Sequence, residues 1–153
     1  GFPREQAWQQ LVAFLRTCDD VIAAHRYGIT IGIEGLRKPE SNVVNSVPEA
    51  VELARAVARP SVRIIVDFYH LTFEHEDPDV VRAAKDWIVH VQIADPEVRG
   101  FPRSAASEPR YAQFFAALHA IDYSGRISIE AKSGDLASDT PASLAFLRRL
   151  ALP

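Results

Sequence analysis

Four short runs rich in isoleucine and valine, I-T-I-G-I-E (29–34), V-R-I-I-V-D (62–67), W-I-V-H-V-Q-I-A-D (87–95) and R-I-S-I-E (126–130), alternate along the chain with stretches of helical periodicity. Short β-branched runs bounded by Gly, Pro and polar clusters read as strands. When helices separate such strands, the crossovers allow parallel pairing, and the right-handed rule lays those helices against the sheet. The spacing therefore predicts an α/β fold: one parallel sheet built from about four βα units, with every strand C-terminus on the same rim.

The helices are legible in outline. Trp8, Leu11, Val12, Leu15, Cys18, Val21 and Ile22 recur at steps of three and four between Glu5 and His25, the pattern of an amphipathic helix, and Gly28 is placed to end it. Ser46 can cap a second helix, with Pro48 and Glu49 in its first turn and Pro60 as its stop. Asp77 and Pro78 open a short helix over D-V-V-R-A-A-K-D, another runs from Tyr111 to Ile121, and the last from Thr140 to Leu150. No helix is expected between Asp67 and Asp77.

At 153 residues, 48% apolar and 24% charged, the chain has the makings of a single globular domain over 1–153. A net charge of -3 lacks the basic excess that phosphate contacts demand, so nucleic acid is not an expected partner. The single cysteine, Cys18, rules out an internal disulfide and a cysteine-based zinc site, which fits a reducing cytoplasm. No apolar stretch approaches a membrane span, and no signal-peptide pattern opens the chain. There is no methionine, so a chain that begins at Gly1 suggests a processed, trimmed or excised polypeptide, or else simple removal of the initiator.

Three of the strands end in an acid, Glu34, Asp67 and Glu130, and the remaining one carries His90 and Gln92 just before its tip. Parallel strands bring these groups to one rim, where α/β folds place their sites. Taken singly, an Asp after a strand is more often a turn or cap residue, a Glu at a strand end a solvated charge, and His90 a hydrogen-bonded core histidine. Taken as a set in phase they read as ligands, and Asp67 reads as a ligand rather than a cap because the next expected helix begins some ten residues later. His90 and Gln92 lie two apart and share a face of their strand. An oxygen-dominated set suits Mn²⁺ or Mg²⁺, with Co²⁺ or Zn²⁺ as alternatives. Such an ion can hold the oxygens of an α-hydroxy carbonyl compound and stabilise an enediolate, while carboxylates on either side move the proton.

These motifs resemble the xylose isomerase-like TIM barrels, which include ketose 3-epimerases, hydroxypyruvate isomerases and endonuclease IV. I-G-I-E, D-F-Y-H, H-V-Q-I-A-D and I-S-I-E match, in order, the ligand-bearing motifs of strands five to eight of that barrel. The resemblance implies metal ligation by Glu34, Asp67, Gln92 and Glu130, with Glu34 and Glu130 as the acid–base pair. It also implies substrate contacts from Glu40, His70 and Arg99, with His90 beside them. H-x-Q-x-A-D is most similar to the hydroxypyruvate isomerase branch. The implied activity is a divalent-metal-dependent isomerase or epimerase of a small sugar or hydroxy-keto acid; the alternatives are an inosose-type dehydratase or lyase, and a non-catalytic half-barrel.

Two departures qualify the match. The segment from Glu97 to Tyr111 has no histidine, where endonuclease IV builds extra metal ligands, so DNA repair is disfavoured. A complete barrel takes about 250 residues and eight strands, so the resemblance covers its C-terminal half only. An open half-barrel is expected to expose apolar strand faces and two sheet edges. Either a first half is absent from the chain, or two copies pair as a homo-oligomer.

Overall fold

The computed structural model describes residues 1–151. Its strands are β1 (Ile31–Glu34), β2 (Val62–Asp67), β3 (Ile88–Ile93) and β4 (Ile127–Ile129), all parallel and paired in the order of the sequence. The helices are α1 (Arg4–His25), α2 (Val47–Val57), α3 (Phe68–Phe73), α4 (Asp79–Ala83), α5 (Glu108–His119) and α6 (Leu136–Ala151), with a 3-10 turn at Ala105–Ser107 leading into α5. This is the α/β architecture that the strand spacing predicts: four neighbouring βα units of a barrel wall. No helix among the described residues is long and apolar enough to cross a membrane.

The two faces of the sheet differ because side chains alternate along a strand. Ile33, Val62, Ile64, Val66, Val91 and Ile93 point toward the helices and are buried. Phe68, Tyr111 and Phe114 fill the layer behind them, with ring centroids 4.6 Å apart for Phe68–Tyr111 and 5.1 Å for Phe68–Phe114. The hydroxyl of buried Tyr111 donates to Ala94 O at 3.0 Å, which fixes α5 against the end of β3. The opposite face carries Gly32, Glu34, Arg63, Ile65, Asp67, His90, Gln92 and Ser128, by the register of the paired strands. That face is mainly polar, not the apolar surface expected of an open half-barrel, and Ile65 is its main aliphatic member.

Several boundaries differ from expectation. Helix α1 stops at His25 because Arg26 takes the left-handed conformation (φ 54°) and its N–H bonds back to Ala23 O, so Gly28 is not the terminator. The first strand begins at Ile31, two residues late. Ser46 does cap α2, its hydroxyl accepting from Glu49 N–H at 3.2 Å. The expected Asp77–Asp86 helix shrinks to the five residues of α4. The main correction is α3, which begins directly after β2: Asp67 is its N-cap, with Oδ1 accepting from Tyr69 N–H at 2.8 Å.

Candidate metal centre and acid–base site

Strand ends and the first turn of α3 bring Glu34, Asp67 and His70 together, with candidate ligand atoms all within 4.8 Å of one another. Asp67 divides its carboxylate. Oδ1 caps α3, while Oδ2 is buried and has no hydrogen-bond partner among the described residues. Glu34 Oε1, His70 Nε2 and Gln92 Oε1 are likewise buried and unpartnered. Buried polar atoms are nearly always satisfied, so several orphans in one place mark a group that belongs between them. Three of these four are oxygen acceptors, the donor set of a hard divalent cation, and the residues present therefore fit one.

Burial, together with the charges of Asp67 and Glu130, pushes the Glu34 carboxyl up to about 7. Burial and the Glu130 charge push Asp67 up to about 6, against the opposing pull of the Tyr69 N–H. Burial, helped by Arg99, pulls His70 down to about 4, so its imidazole is neutral near pH 7. Arg37 N–H donates to His70 Nδ1 at 3.2 Å, which leaves the ring proton on Nε2. A protonated ring nitrogen has no lone pair for a cation. His70 therefore faces the cluster as a donor, with Nε2 3.5 Å from Glu34 Oε1, 3.6 Å from Asp67 Oδ2 and 3.9 Å from Glu40 Oε2.

Glu40 reaches the same mouth from the loop after β1. Arg99 Nη1 lies 3.1 Å from Glu40 Oε1, and its Nη2 lies 3.8 Å from Glu130 Oε2 at the tip of β4. Arg99 sits at φ 50° in a turn built by Asp95, whose Oδ1 accepts from the N–H groups of Glu97 and Val98. Its guanidinium covers the ring of Tyr69 at 5.0 Å, and Arg37 covers the same ring at 5.2 Å. A cavity of about 400 Å³ opens here, lined by Arg37, Glu40, Tyr69, Arg99, Glu130 and Lys132. His90 stands one layer deeper on the open face, where its Nε2 meets Ser128 Oγ at 2.7 Å, and it does not join the cluster.

Tyr69, Arg37 and Lys132 were not singled out in the sequence. Tyr69 could have been, since it lies inside D-F-Y-H.

A family model described as xylose isomerase-like TIM barrel matches residues 1–150. The chain belongs to that family. It is 32% identical over 134 residues to an L-ribulose 3-epimerase of Methylomonas sp. (strain DH-1), covering 87% of this chain and 45% of that protein. It is 34% identical over 133 residues to a 2-oxo-tetronate isomerase of Pectobacterium atrosepticum, covering 85% of this chain and 49% of that one. A crystal structure of D-psicose 3-epimerase from Clostridium cellulolyticum H10 superposes with a TM-score of 0.83 at 20% identity, covering 100% of this chain and 59% of that chain. This xylose isomerase-like chain thus spans about half the length of the relatives it matches. In those terms its four βα units correspond to half a barrel.

Proposed function

We propose that this chain carries the cation-binding and proton-transfer residues of an isomerase or epimerase of small sugars or hydroxy-keto acids. The convergence of unpartnered buried atoms from Glu34, Asp67 and His70, with that of Gln92 in register beside Asp67, carries the reading. Glu34, Asp67, Gln92 and Glu130 would hold one divalent ion, Mn²⁺ or Mg²⁺ by donor type. When bound, that ion supplies Lewis-acid polarisation of a carbonyl oxygen.

The chain's own residues do the rest. Glu34 ends β1 and Glu130 directly follows β4, at opposite ends of the sheet order, and they can take and return a proton on either side of a carbon bound between them. His70 donates from Nε2 to a substrate oxygen, since Arg37 N–H holds its other nitrogen. Arg99, braced by Glu40 and Tyr69, orients a second oxygen.

The cavity beside the cluster has a mixed-charge lining. Arg37, Arg99 and Lys132 line it against Glu40, Glu97 and Glu130, with Arg37 and Arg99 both paired to Glu40, so it suits a ketose as well as a keto acid. The similarity to both an L-ribulose 3-epimerase and a 2-oxo-tetronate isomerase is in keeping with either substrate class.

Deuterium exchange at the hydroxymethyl carbon next to the substrate's ketone tests the proposal. With Mn²⁺ and hydroxypyruvate in D₂O, the chain should catalyse exchange, and Glu130→Gln should slow it by about a hundredfold, as expected for loss of a general base. Exchange undiminished in Glu130→Gln would remove Glu130 from the role. A wild-type chain that catalyses none contradicts activity in this polypeptide.

A further inference from the structure

The loop between β1 and α2 carries both Arg37 and Glu40, so its placement decides whether Glu40 meets Arg99. The loop closes on itself through Leu36 N–H to Val44 O at 3.0 Å and through the Asn45 side-chain amide, which donates to Leu36 O and Ser41 O at 2.7 Å each. Arg4 of α1 holds its far side at Val43 O, 2.6 Å away.

The side facing the site is held by α3 and the turn after it. His70 Nδ1 accepts from Arg37 N–H at 3.2 Å, and Glu74 Oε1 from Lys38 N–H at 2.7 Å. Glu76 accepts from Val47 N–H with both oxygens, at 3.3 and 3.0 Å. Three backbone N–H groups of one segment are thus gripped by three side chains of another.

Glu74 and Glu76 have no other assignment, and of the two Glu74 is the one bonded next to Arg37. The Glu74 side chain is 9% exposed, whereas the Lys38 ammonium that pairs with its second oxygen belongs to a side chain 75% exposed. An ion pair so open to water contributes little, while a short bond from a backbone amide to a sheltered carboxylate is charge-assisted and strong. The carboxylate therefore acts through the backbone of Lys38, next to Arg37, whose Nε holds Glu40 Oε1 at 2.6 Å.

We propose that Glu74 is a positioning residue: its carboxylate clamps the β1–α2 loop so that Glu40 meets Arg99 at the mouth of the site. The proposal rests on the isomerase reading for its functional consequence, and on geometry alone for the clamp itself.

Two variants and two readouts test it. Glu74→Ala removes the acceptor, while Glu74→Gln keeps an acceptor for Lys38 N–H and discards only the charge. The first readout is tryptic cleavage of the Arg37–Lys38 bond, which needs no substrate. Glu74→Ala should be cut about tenfold faster than wild type, as loss of a hydrogen bond to a charged group implies, and Glu74→Gln within about twofold of it. The second readout is calorimetric titration of hydroxypyruvate into the Mn²⁺-loaded chain. Glu74→Ala should bind about tenfold more weakly with Mn²⁺ affinity and thermal midpoint unchanged, and Glu74→Gln should recover the loss.

Unchanged cleavage in Glu74→Ala overturns the clamp. Joint loss of Mn²⁺ affinity, hydroxypyruvate affinity and thermal midpoint also overturns it, because that is the behaviour of a merely structural residue. A wild-type chain that binds no hydroxypyruvate, alongside faster cleavage of Glu74→Ala, overturns the isomerase reading and supports the clamp.

Discussion

Asp67→Asn is expected to strip the chain of its divalent ion while leaving the fold in place. Asp67 does two jobs with two atoms: Oδ1 caps α3 by accepting from Tyr69 N–H, and Oδ2 faces Glu34 and His70 without a partner. Asn is as good an N-cap as Asp, so the first job survives. Its amide nitrogen, turned toward the cluster, has no lone pair to offer a cation. Removal of a residue that merely orients a ligand costs about 10–100-fold in metal affinity, so loss of a direct ligand should exceed about a hundredfold. The thermal midpoint of the metal-free variant should stay level or rise, because a buried charge beside another carboxyl has gone. Asp67→Ala should lose both roles and about 1 kcal/mol of stability with the cap. Calorimetric Mn²⁺ titration and thermal melts of the two variants check this. Undiminished Mn²⁺ affinity in Asp67→Asn would leave Asp67 as a cap and nothing more.

Protons and the cation should compete for the same carboxylates, with a large effect across the neutral range. In the metal-free chain burial and mutual repulsion raise Glu34 to about 7 and Asp67 to about 6. Both values lie above those of unfolded carboxyls, so the folded chain binds these protons more tightly than the unfolded one. Their contribution to stability is fully present only below the unfolded carboxyl range of about 4, and is lost progressively as pH rises to about 6 for Asp67 and about 7 for Glu34. A bound cation reverses the trend, since it occupies the deprotonated site. The protons displaced per ion rise from almost none at pH 8 to two near pH 5, and apparent affinity should fall by about a thousandfold over that range. Mn²⁺ titrations in buffers of different ionisation enthalpy measure both the affinity and the protons released. An affinity flat across this range, with no proton release, would show that the cation binds elsewhere.

The sheet was legible in the sequence because its strands are β-branched and separated by helix-length spacers. The acids at the strand tips were legible because parallel strands leave only one rim for them. What stayed hidden was local and short. Helix α3 has six residues, too few to display a period, and its N-cap is the aspartate read as a ligand instead. Cap and ligand are not exclusive, because a carboxylate has two oxygens: Oδ1 of Asp67 caps α3, and Oδ2 is left without a hydrogen bond beside Glu34 and His70. The stop of α1 was hidden for a different reason: Arg26 adopts the left-handed conformation without being glycine, and the nearby Gly28 drew the assignment.

Contacts set by the tertiary fold were beyond local pattern. Glu40 and Arg99 meet from 59 positions apart, and the sharing of the Tyr69 ring by Arg37 and Arg99 follows from that meeting. The polar character of the open sheet face was readable in principle, since Arg63, His90, Gln92 and Ser128 alternate with the buried valines and isoleucines. Only the register shows that they share one side.

Native mass spectrometry of the chain with Mn²⁺, before and after a chelator, tests the central claim most directly. One ion per chain, lost on chelation and absent from Asp67→Asn, is the expected result. A folded wild-type chain that takes up no ion would contradict the metal centre and, with it, the proton-transfer function built around it.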